Sequence, residues 1–215
     1  MHQKRYFIKD NCYHIFNKSI AGFKIFRSTK NKLRFLSLLD YYNNHHVQKR
    51  FSQNRSDYNN HQNVKLFSNS SNIVKYIAYC IMPTHYHLLV KTLLDNKLSN
   101  YIGRVDNAYS HYFNKKYCRK GPLWQSRFKS VSVTNNVQLL HLTRYIHLNP
   151  TSSGLVNNPQ DWSYSSYNDY LSNQSLLKNH LTEISITNQK QYKNFVEDRI
   201  DYQKKIYLIK KKLFE

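Results

Sequence analysis

The chain has 215 residues, with 33 Lys or Arg against 12 Asp or Glu, so its formal net charge is +21. Such a surface repels itself unless a polyanion neutralises it, and the usual polyanions are nucleic acids and anionic membrane faces. Hydrophobic residues make up 40% of the chain and aromatic residues 15%, which is enough for one sizeable core. This composition excludes a chain that is disordered throughout.

The sequence contains no segment that predicts membrane insertion or export. No apolar run approaches the roughly 18 residues that a membrane span requires, and no apolar stretch follows the basic N-terminus. We therefore expect a soluble, cytoplasmic protein with no membrane partner. Cys12, Cys80 and Cys118 are widely spaced and form no Cys-x-x-Cys pair, so neither a disulfide framework nor a structural zinc site is expected.

Apolar periodicity predicts the secondary structure of the N-terminal part. Alternating residues over 12–20 indicate a strand, and leucines at helical spacing indicate a helix over 31–42. The polar, Asn-rich segment 43–62 is predicted to be a loop interrupted by one short strand near 47–51.

The middle of the chain predicts a β-hairpin followed by a helix. Strands over 72–82 and 85–91 are expected to meet at a tight turn formed by Pro83 and Thr84. Apolar residues at three- and four-residue spacing then predict a long helix over 98–117.

A further strand over 123–133 and a further helix over 136–148, ending before Pro150, complete the predicted elements. Their order indicates an α+β fold, a ferredoxin-like two-layer sandwich with a central antiparallel sheet. We assign this fold to a domain of residues 1–170. Residues 171–215 are predicted to be a polar and basic extension.

The end of this extension, residues 199–215, is expected to be helical. Apolar residues follow helical spacing, while Lys204, Lys205, Lys210, Lys211 and Lys212 supply charge. The predicted apolar positions are Tyr202, Ile206, Ile209 and Leu213. Such a helix could be a solvated surface or a contact with DNA phosphates.

His85 and His87 flank Tyr86 at the start of a predicted strand. Because side chains i and i+2 of a strand point to the same side, both imidazoles can bind one metal ion. A His-x-His pattern also arises by chance or in ordinary surface and core roles, and the bare pattern favours that interpretation. His14, in the first predicted strand, could lie near the same site, although no local pattern indicates it.

Tyr145 and Asn149 lie four residues apart near the end of a predicted helix, so they share a face. The amide oxygen of Asn149 is a candidate third metal ligand beside the Tyr145 phenol. The alternative is that Tyr145 packs in the core and Asn149 caps the helix. Together with the histidines and the positive charge, the pair suggests a metal centre next to a nucleophile.

A centre of this kind suits phosphodiester chemistry. One divalent cation, Mg²⁺ or Mn²⁺, would polarise a phosphate oxygen while the tyrosine attacks in line. A phenol is mostly protonated at neutral pH, so it needs the metal or a base to become a competent nucleophile. The expected products are a 5′-phosphotyrosine and a free 3′-OH, and the covalent link allows the same site to rejoin strands.

Ordered blocks of sequence resemble the single-tyrosine HUH transposases, in the branch of REP-associated tyrosine transposases and their insertion-sequence relatives. The blocks are 82–90 (MPTHYHLLV), 121–130 (GPLWQSRFKS), 144–150 (RYIHLNP), and 154–156 (GLV) continued by 162–167 (WSYSSY). The resemblance covers roughly residues 5–170 and implies a fold of the HUH endonuclease type.

The resemblance implies that His85, His87 and Asn149 bind the metal and that Tyr145 is the nucleophile. It also implies cleavage and joining of single-stranded DNA beside a hairpin or an imperfect palindrome. A homodimer is a candidate assembly, in which Tyr145 could serve the metal site of the other copy. The Asn-rich segment 43–62 is longer than expected for the family, and the C-terminal extension matches nothing in its pattern.

Five residues are candidates for contacts with DNA. Arg127 and Lys129 alternate along a predicted strand and could hold backbone phosphates, with Arg119 and Lys120 beside them. Trp124 could stack on an unpaired base. The alternatives are a solvated basic surface for the cations and core packing for the tryptophan.

The leading hypothesis is therefore a metal-dependent DNA strand transferase. An alternative from another class is a catalytically silent protein, derived from a transposase, that binds single-stranded or hairpin nucleic acid. A third and weaker hypothesis is a basic protein held on an anionic membrane by its C-terminal amphipathic segment.

Overall fold

The computed structural model describes residues 5–53, 71–172, 183–186 and 188–214. The strands within this part of the chain are β1 (Cys12–Lys18), β2 (Val74–Ile81), β3 (His85–Thr92) and β4 (Lys129–Val133). The helices are α1 (Thr29–Asn43), α2 (Leu98–Lys116), α3 (Asn136–Ser152), α4 (Tyr167–Leu171), α5 (Gln189–Glu197) and α6 (Ile200–Phe214). No helix in the described ranges is long and apolar enough to cross a membrane.

One sheet organises the fold, with strand order β2-β3-β1-β4 and antiparallel pairing between all neighbours. The elements follow one another in the chain as β1-α1-β2-β3-α2-β4, which is the ferredoxin-like order. The predicted α+β fold with a central antiparallel sheet is therefore confirmed. Because β1 pairs with both β3 and β4, residues near the N-terminus lie in the middle of the sheet.

Helices α1 and α2 cover one face of the sheet. Since side chains alternate along a strand, Tyr13 and Ile15 of β1 and Tyr86 of β3 all point into this first core. α1 begins at Ser28, whose hydroxyl accepts a hydrogen bond from the Asn31 backbone N–H. This layer matches the predicted sandwich.

Helices α3, α4 and α5 cover the opposite face. Ile146 of α3, Tyr170 of α4 and Tyr192 of α5 join Leu89 of β3 in a second buried cluster. The sheet therefore carries helices on both faces, which adds a layer to the predicted sandwich. The domain boundary at residue 170 stays a prediction, and α5, which follows it in the chain, packs in this second cluster.

The short strand predicted near 47–51 is wrong. The Val47 backbone N–H bonds the Asn44 carbonyl in a turn, and a 3₁₀ helix follows at Phe51–Gln53. The Phe51 backbone N–H donates a hydrogen bond to the Tyr42 hydroxyl of α1 at 3.1 Å. This local contact takes the place of strand pairing. The rest of the predicted loop, 54–62, lies outside the described residues.

The strand predicted over 123–133 begins only at Lys129. Residues 123–128 form an irregular loop in which Leu123 and Phe128 are each buried. Trp124 pairs with Ser19 only through an isolated β-bridge. The apolar spacing of this loop reflects separate contacts with the first core. Periodicity alone cannot distinguish such a loop from a strand.

Helix α3 runs through Pro150 to Ser152, past its predicted end. A proline inside a helix removes one backbone donor and crowds the carbonyl four residues earlier. Here the following turn is closed by bonds from Ser153 N–H to the Asn149 carbonyl and from Leu155 N–H to the Pro150 carbonyl. Asn149 therefore lies inside α3 and is not its cap.

Asp106 of α2 is a buried carboxyl group between helix and sheet. The Asn17 amide donates to its Oδ2 at 2.9 Å, and the Tyr86 hydroxyl donates to its Oδ1 at 3.1 Å. Burial raises the pKa of Asp106 to about 7, although both hydrogen bonds act to lower it. The folded chain thus holds a proton on Asp106 at pH values where the unfolded chain does not.

We expect Asp106→Asn to remove a pH-dependent part of the stability. Because the folded pKa is raised, the stability contributed by the protonated carboxyl is fully present below about pH 4 and is lost as the pH rises through about 7. Between about pH 5 and pH 8, the wild type should lose on the order of 2–3 kcal/mol of unfolding free energy relative to the variant. Urea unfolding of both proteins at each pH measures this difference, in which the other titrating groups cancel. A difference that does not change with pH would contradict the expectation.

Candidate active site

Two strands present three histidines on the same face of the sheet. His85 and His87 alternate along β3 with Tyr86, which points into the first core. β1 pairs with β3 so that Phe16 faces His87, and His14 lies two residues before Phe16 on the same face. His14 and His87 are therefore diagonal neighbours on this face, and His14 Nε2 lies 2.9 Å from His87 Nδ1.

Helix α3 brings a tyrosine to these histidines. The ring centroid of Tyr145 lies 5.6 Å from that of His87 and 6.4 Å from that of His14. Tyr145 is 39% exposed, so a ligand in solvent can reach its hydroxyl. All of these side chains belong to one chain, and a second copy is not needed to bring them together.

Asn149 is buried one helical turn after Tyr145. Its amide nitrogen donates to the Tyr145 backbone carbonyl at 3.1 Å, and its side chain also forms a hydrogen bond with His85. This contact places the Asn149 amide beside the His85 ring. The four predicted site residues are thus brought together.

Burial keeps the three imidazoles neutral at physiological pH. It lowers the pKa of His14 to about 4 and that of His85 to about 4, and the Lys18 ammonium adds to the effect on His85. Burial also holds the pKa of His87 well below its usual value, with smaller contributions from its two histidine neighbours. Neutral imidazole is the form that binds a metal ion.

This site can offer two imidazoles and one amide oxygen to a metal ion. His85 Nδ1 is 2.9 Å from Thr84 Oγ1, and His87 Nδ1 is paired with His14, which leaves Nε2 of each ring as the candidate donor atom. In the described part of the chain, no group of three or more His, Cys, Asp or Glu side chains could hold a metal. The Asn149 amide oxygen stays the predicted third protein donor. Nitrogen and neutral oxygen donors without a carboxylate fit a single divalent cation.

Trp124 lies away from this face. Its ring packs beside that of Tyr86, with centroids 5.6 Å apart, and its indole N–H donates to the Asp106 backbone carbonyl at 3.2 Å. These contacts give the tryptophan a packing role in the first core. Its predicted stacking on a base stays a prediction.

The cations predicted to bind DNA are divided between protein contacts and open surface. The Arg119 guanidinium donates to the Pro122 carbonyl at 2.7 Å and to Asn114 Oδ1 at 3.1 Å, so it closes the loop after α2. Lys120 and Arg127 are exposed in loops. Arg127 does not alternate with Lys129 along a strand as predicted, because β4 begins after it.

Two lysines lie on the same face as the histidines. The register places Phe16 opposite both His87 and Lys129, so these three side chains form one row across the sheet. Lys18 faces His85 in the same way. Lys129 was a predicted contact, whereas Lys18 was missed, although the alternation of β1 places it on this face. Both ammonium groups can neutralise phosphates near the site.

The C-terminal helix α6 packs beside α3 and encloses a cavity of about 750 Å³ next to the site. His85, Tyr145 and Asn149 line one wall, and α6 supplies the other. Sequence patterns do not predict this cavity, because the approach of the two helices depends on contacts far apart in the chain.

The apolar residues at helical spacing on this helix do not form one buried face. Ile206 lines the cavity as an apolar wall, but Ile209 and Leu213 are exposed. Lys210, one of the lysines that supply charge, lines the cavity as well. The side of α6 that meets α3 therefore combines apolar and charged residues.

The antiparallel sheet with a His-x-His strand, crossed by a helix that carries a tyrosine, defines the HUH class of fold. A family model described as "Transposase IS200 like" matches residues 42–149, half of the chain. The chain belongs to this family of IS200-like transposases. The resemblance stated from the sequence blocks is therefore confirmed.

Two curated relatives are REP-associated tyrosine transposases. The protein of Haemophilus influenzae is 33% identical over 104 residues, which cover 42% of this chain and 57% of the relative. The protein of Escherichia coli K12 is 27% identical over 92 residues, which cover 42% of this chain and 52% of the relative. The chain thus matches only about half the length of these relatives.

A solved structure has a similar fold. It is described as a REP-associated tyrosine transposase bound to a REP hairpin. The two chains superimpose with a TM-score of 0.54 at 18% identity, over 80% of this chain and 86% of the other. The match includes more than the region covered by the family model.

Proposed function

We propose that this chain is a metal-dependent endonuclease and strand transferase that cleaves and rejoins single-stranded DNA near hairpins. The observation that carries the proposal is the position of Tyr145, whose ring lies 5.6 Å from that of His87, one turn before Asn149. Family membership supports it, and so does the likeness to a transposase whose structure was solved with a REP hairpin. Moving DNA requires that phosphodiester bonds be broken and remade, and an activated nucleophile can do both.

His85, His87 and Asn149 would hold one divalent cation, Mg²⁺ or Mn²⁺. When bound, this ion would polarise a phosphate oxygen and offset the negative charge that develops at phosphorus. The protein's part is to keep both imidazoles neutral and oriented. We assign the proton shared with His14 to His87 Nδ1, so that His14 accepts it and His87 Nε2 keeps a lone pair for the metal.

Tyr145 would act as the nucleophile. Its Oη forms a bond to phosphorus while the bond from phosphorus to the 3′ oxygen breaks, which leaves a 5′-phosphotyrosine and a 3′-OH. The phenol proton passes to solvent, since the side chain is partly exposed, and the leaving 3′ oxygen takes up a proton. Each step exchanges one phosphodiester for another. The 3′-OH of a second strand can therefore attack the phosphotyrosine and form a new DNA strand without a nucleotide cofactor.

Cations around the site would hold the DNA backbone. Lys18 and Lys129 lie on the same sheet face as the histidines, and Arg144 lines the cavity beside Tyr145. Exposed Lys120 could extend this surface. Because contacts with phosphates carry no sequence information, recognition of a hairpin would depend on its shape and on unpaired bases. A homodimer stays a prediction.

Tyr145→Phe should abolish covalent attachment to DNA while it leaves folding and DNA binding intact, because the change removes only the attacking oxygen. The measurement mixes purified protein, Mn²⁺ or Mg²⁺, and end-labelled single-stranded hairpins from the DNA flanking the gene, and resolves protein–DNA adducts on a denaturing gel. Tyr117→Phe, at an exposed tyrosine on the other side of the sheet, is the matched control and should form adducts as the wild type does. Tight binding by the wild type with neither adduct nor nick would favour the catalytically silent alternative.

His14→Ala should weaken binding of Mn²⁺ by about tenfold or more, because His87 loses the hydrogen bond that orients its ring. Isothermal titration calorimetry without DNA measures this affinity directly. His14→Gln, whose amide oxygen can accept the same hydrogen bond, should recover part of the loss. His111→Ala, an exposed histidine of α2, is the control and should bind as the wild type does. Equal affinity of a folded His14→Ala protein would rule out the orienting role.

Lys18→Gln should weaken binding of single-stranded DNA to a similar degree for all sequences. If Lys18 contacts one phosphate, the slope of log K against log salt should become less steep by about 0.7. Fluorescence anisotropy over a salt series measures both quantities. Lys115→Gln, at an exposed lysine of α2, removes the same charge from the other layer and should leave the slope nearly unchanged. Identical slopes for the two variants would exclude a specific contact at Lys18.

A further inference from the structure

The cavity between α3 and α6 is lined by several side chains that have no part in the proposed chemistry. Beyond Tyr145 and the metal-binding residues, its walls include cationic, aromatic and amide side chains, together with His141, Ser152 and Ile206. Its volume of about 750 Å³ is in the range of pockets that enclose small ligands. The cavity therefore has room for a ligand beside the proposed nucleophile.

The lining residues of α6 form one helical stripe. They begin with Arg199, just before the helix, and recur every three or four residues as Tyr202, Gln203, Ile206, Tyr207 and Lys210. Lys204 and Lys205 lie between them in sequence but do not line the cavity. The helix thus turns a particular set of side chains toward α3, and Lys204 and Lys205 elsewhere.

The charges on this stripe are arranged for an anion. Arg199, just before α6, Lys210 of α6 and Arg144 of α3 all line the cavity, whereas none of the described Asp or Glu side chains does. Asp198 and Asp201 lie off the stripe, although the charge of Asp198 acts on Arg144. Like charges at close range repel one another unless an anion lies between them. In line with this repulsion, burial together with the charge of Arg199 lowers the pKa of Arg144.

Aromatic surface accompanies this charge. Tyr202 is 59% exposed, and the Arg199 guanidinium lies 5.7 Å from its ring centroid. An exposed tyrosine beside cations is the arrangement on which single-stranded nucleic acids stack their bases while their phosphates are neutralised. The Gln203 amide can donate to and accept from a base edge.

We propose that this cavity binds an unpaired nucleotide of the DNA strand next to the phosphate that Tyr145 attacks. Tyr202 would stack on the base, and Arg199 and Lys210 would hold the adjoining phosphates. This inference rests on the proposed function for the identity of the reacting strand. On this proposal, α6 is part of the DNA-binding site. The enzyme would require a single strand because a base that is paired in a duplex cannot enter the cavity.

Equilibrium binding to two probes of equal length and charge tests the stacking contact. One probe is fluorescein-labelled oligo(dT), and the other is the same backbone with every base replaced by an abasic unit. The wild type should prefer oligo(dT), and Tyr202→Leu should reduce this preference by about tenfold while it binds the abasic probe nearly as well as the wild type. A general loss of folding would weaken both probes equally.

Lys210→Gln and Lys205→Gln form the matched pair for the phosphate contact. Both remove one charge from α6, but only Lys210 lines the cavity. Lys210→Gln should weaken binding of both probes and make the salt slope less steep by about 0.7, whereas Lys205→Gln should change the slope little.

The outcomes separate this proposal from the proposed function. Unchanged base preference in Tyr202→Leu, with adducts still formed by Tyr145, would overturn the cavity proposal alone. A loss of base preference in Tyr202→Leu supports the cavity as a nucleotide site, and this holds even where the adduct assay fails and the strand-transfer function must be abandoned.

Discussion

The antiparallel register between β1 and β3 is the constraint on which the site depends. Tyr13 and Ile15 are buried in the first core, and burial of such side chains contributes about 1.5–3 kcal/mol each. Because side chains alternate, this burial turns His14 to the other face. A shift of one residue would turn the apolar pair to the face of the site and place the histidine beneath α1 and α2. Hydrophobic burial on one face thus sets the position of the imidazoles on the other.

Helix α3 must then be fixed against the second face, and a buried polar contact does this. The His147 ring is bonded to Ser166 Oγ at 2.8 Å and to the Tyr192 hydroxyl at 2.7 Å, so it connects α3 to α4 and α5. Its neighbour Ile146 joins the apolar cluster. With these residues held inward, Tyr145 is directed along the sheet toward the histidines. Tyr192, in the extension after residue 170, therefore helps to position the proposed nucleophile.

The parts of the site that could be predicted from sequence lie within single elements. The spacing of His85 and His87 is a property of one strand, and the shared face of Tyr145 and Asn149 is a property of one helix. His14 could not be found in this way, because its contact with His87 joins residues 73 apart. Pairing of distant strands follows from the whole fold. The role of Trp124, core packing or base stacking, was open for a related reason. Its ring packs against the first core from an irregular loop, whereas the apolar periodicity predicts a strand there.

The same distinction explains why α6 was hard to interpret. Its lysines are visible in the sequence, but their direction depends on which side of the helix meets α3. The observed orientation leaves Ile209 and Leu213 exposed and places Lys210 in the cavity that Tyr145 also lines. Hydrophobic burial therefore does not by itself account for the orientation of α6. A charged side chain gains little from facing another cationic surface, and here Arg144 is already present. The orientation becomes favourable when a polyanion occupies the space between the helices, which links the basic composition of the chain to the place where its chemistry would occur.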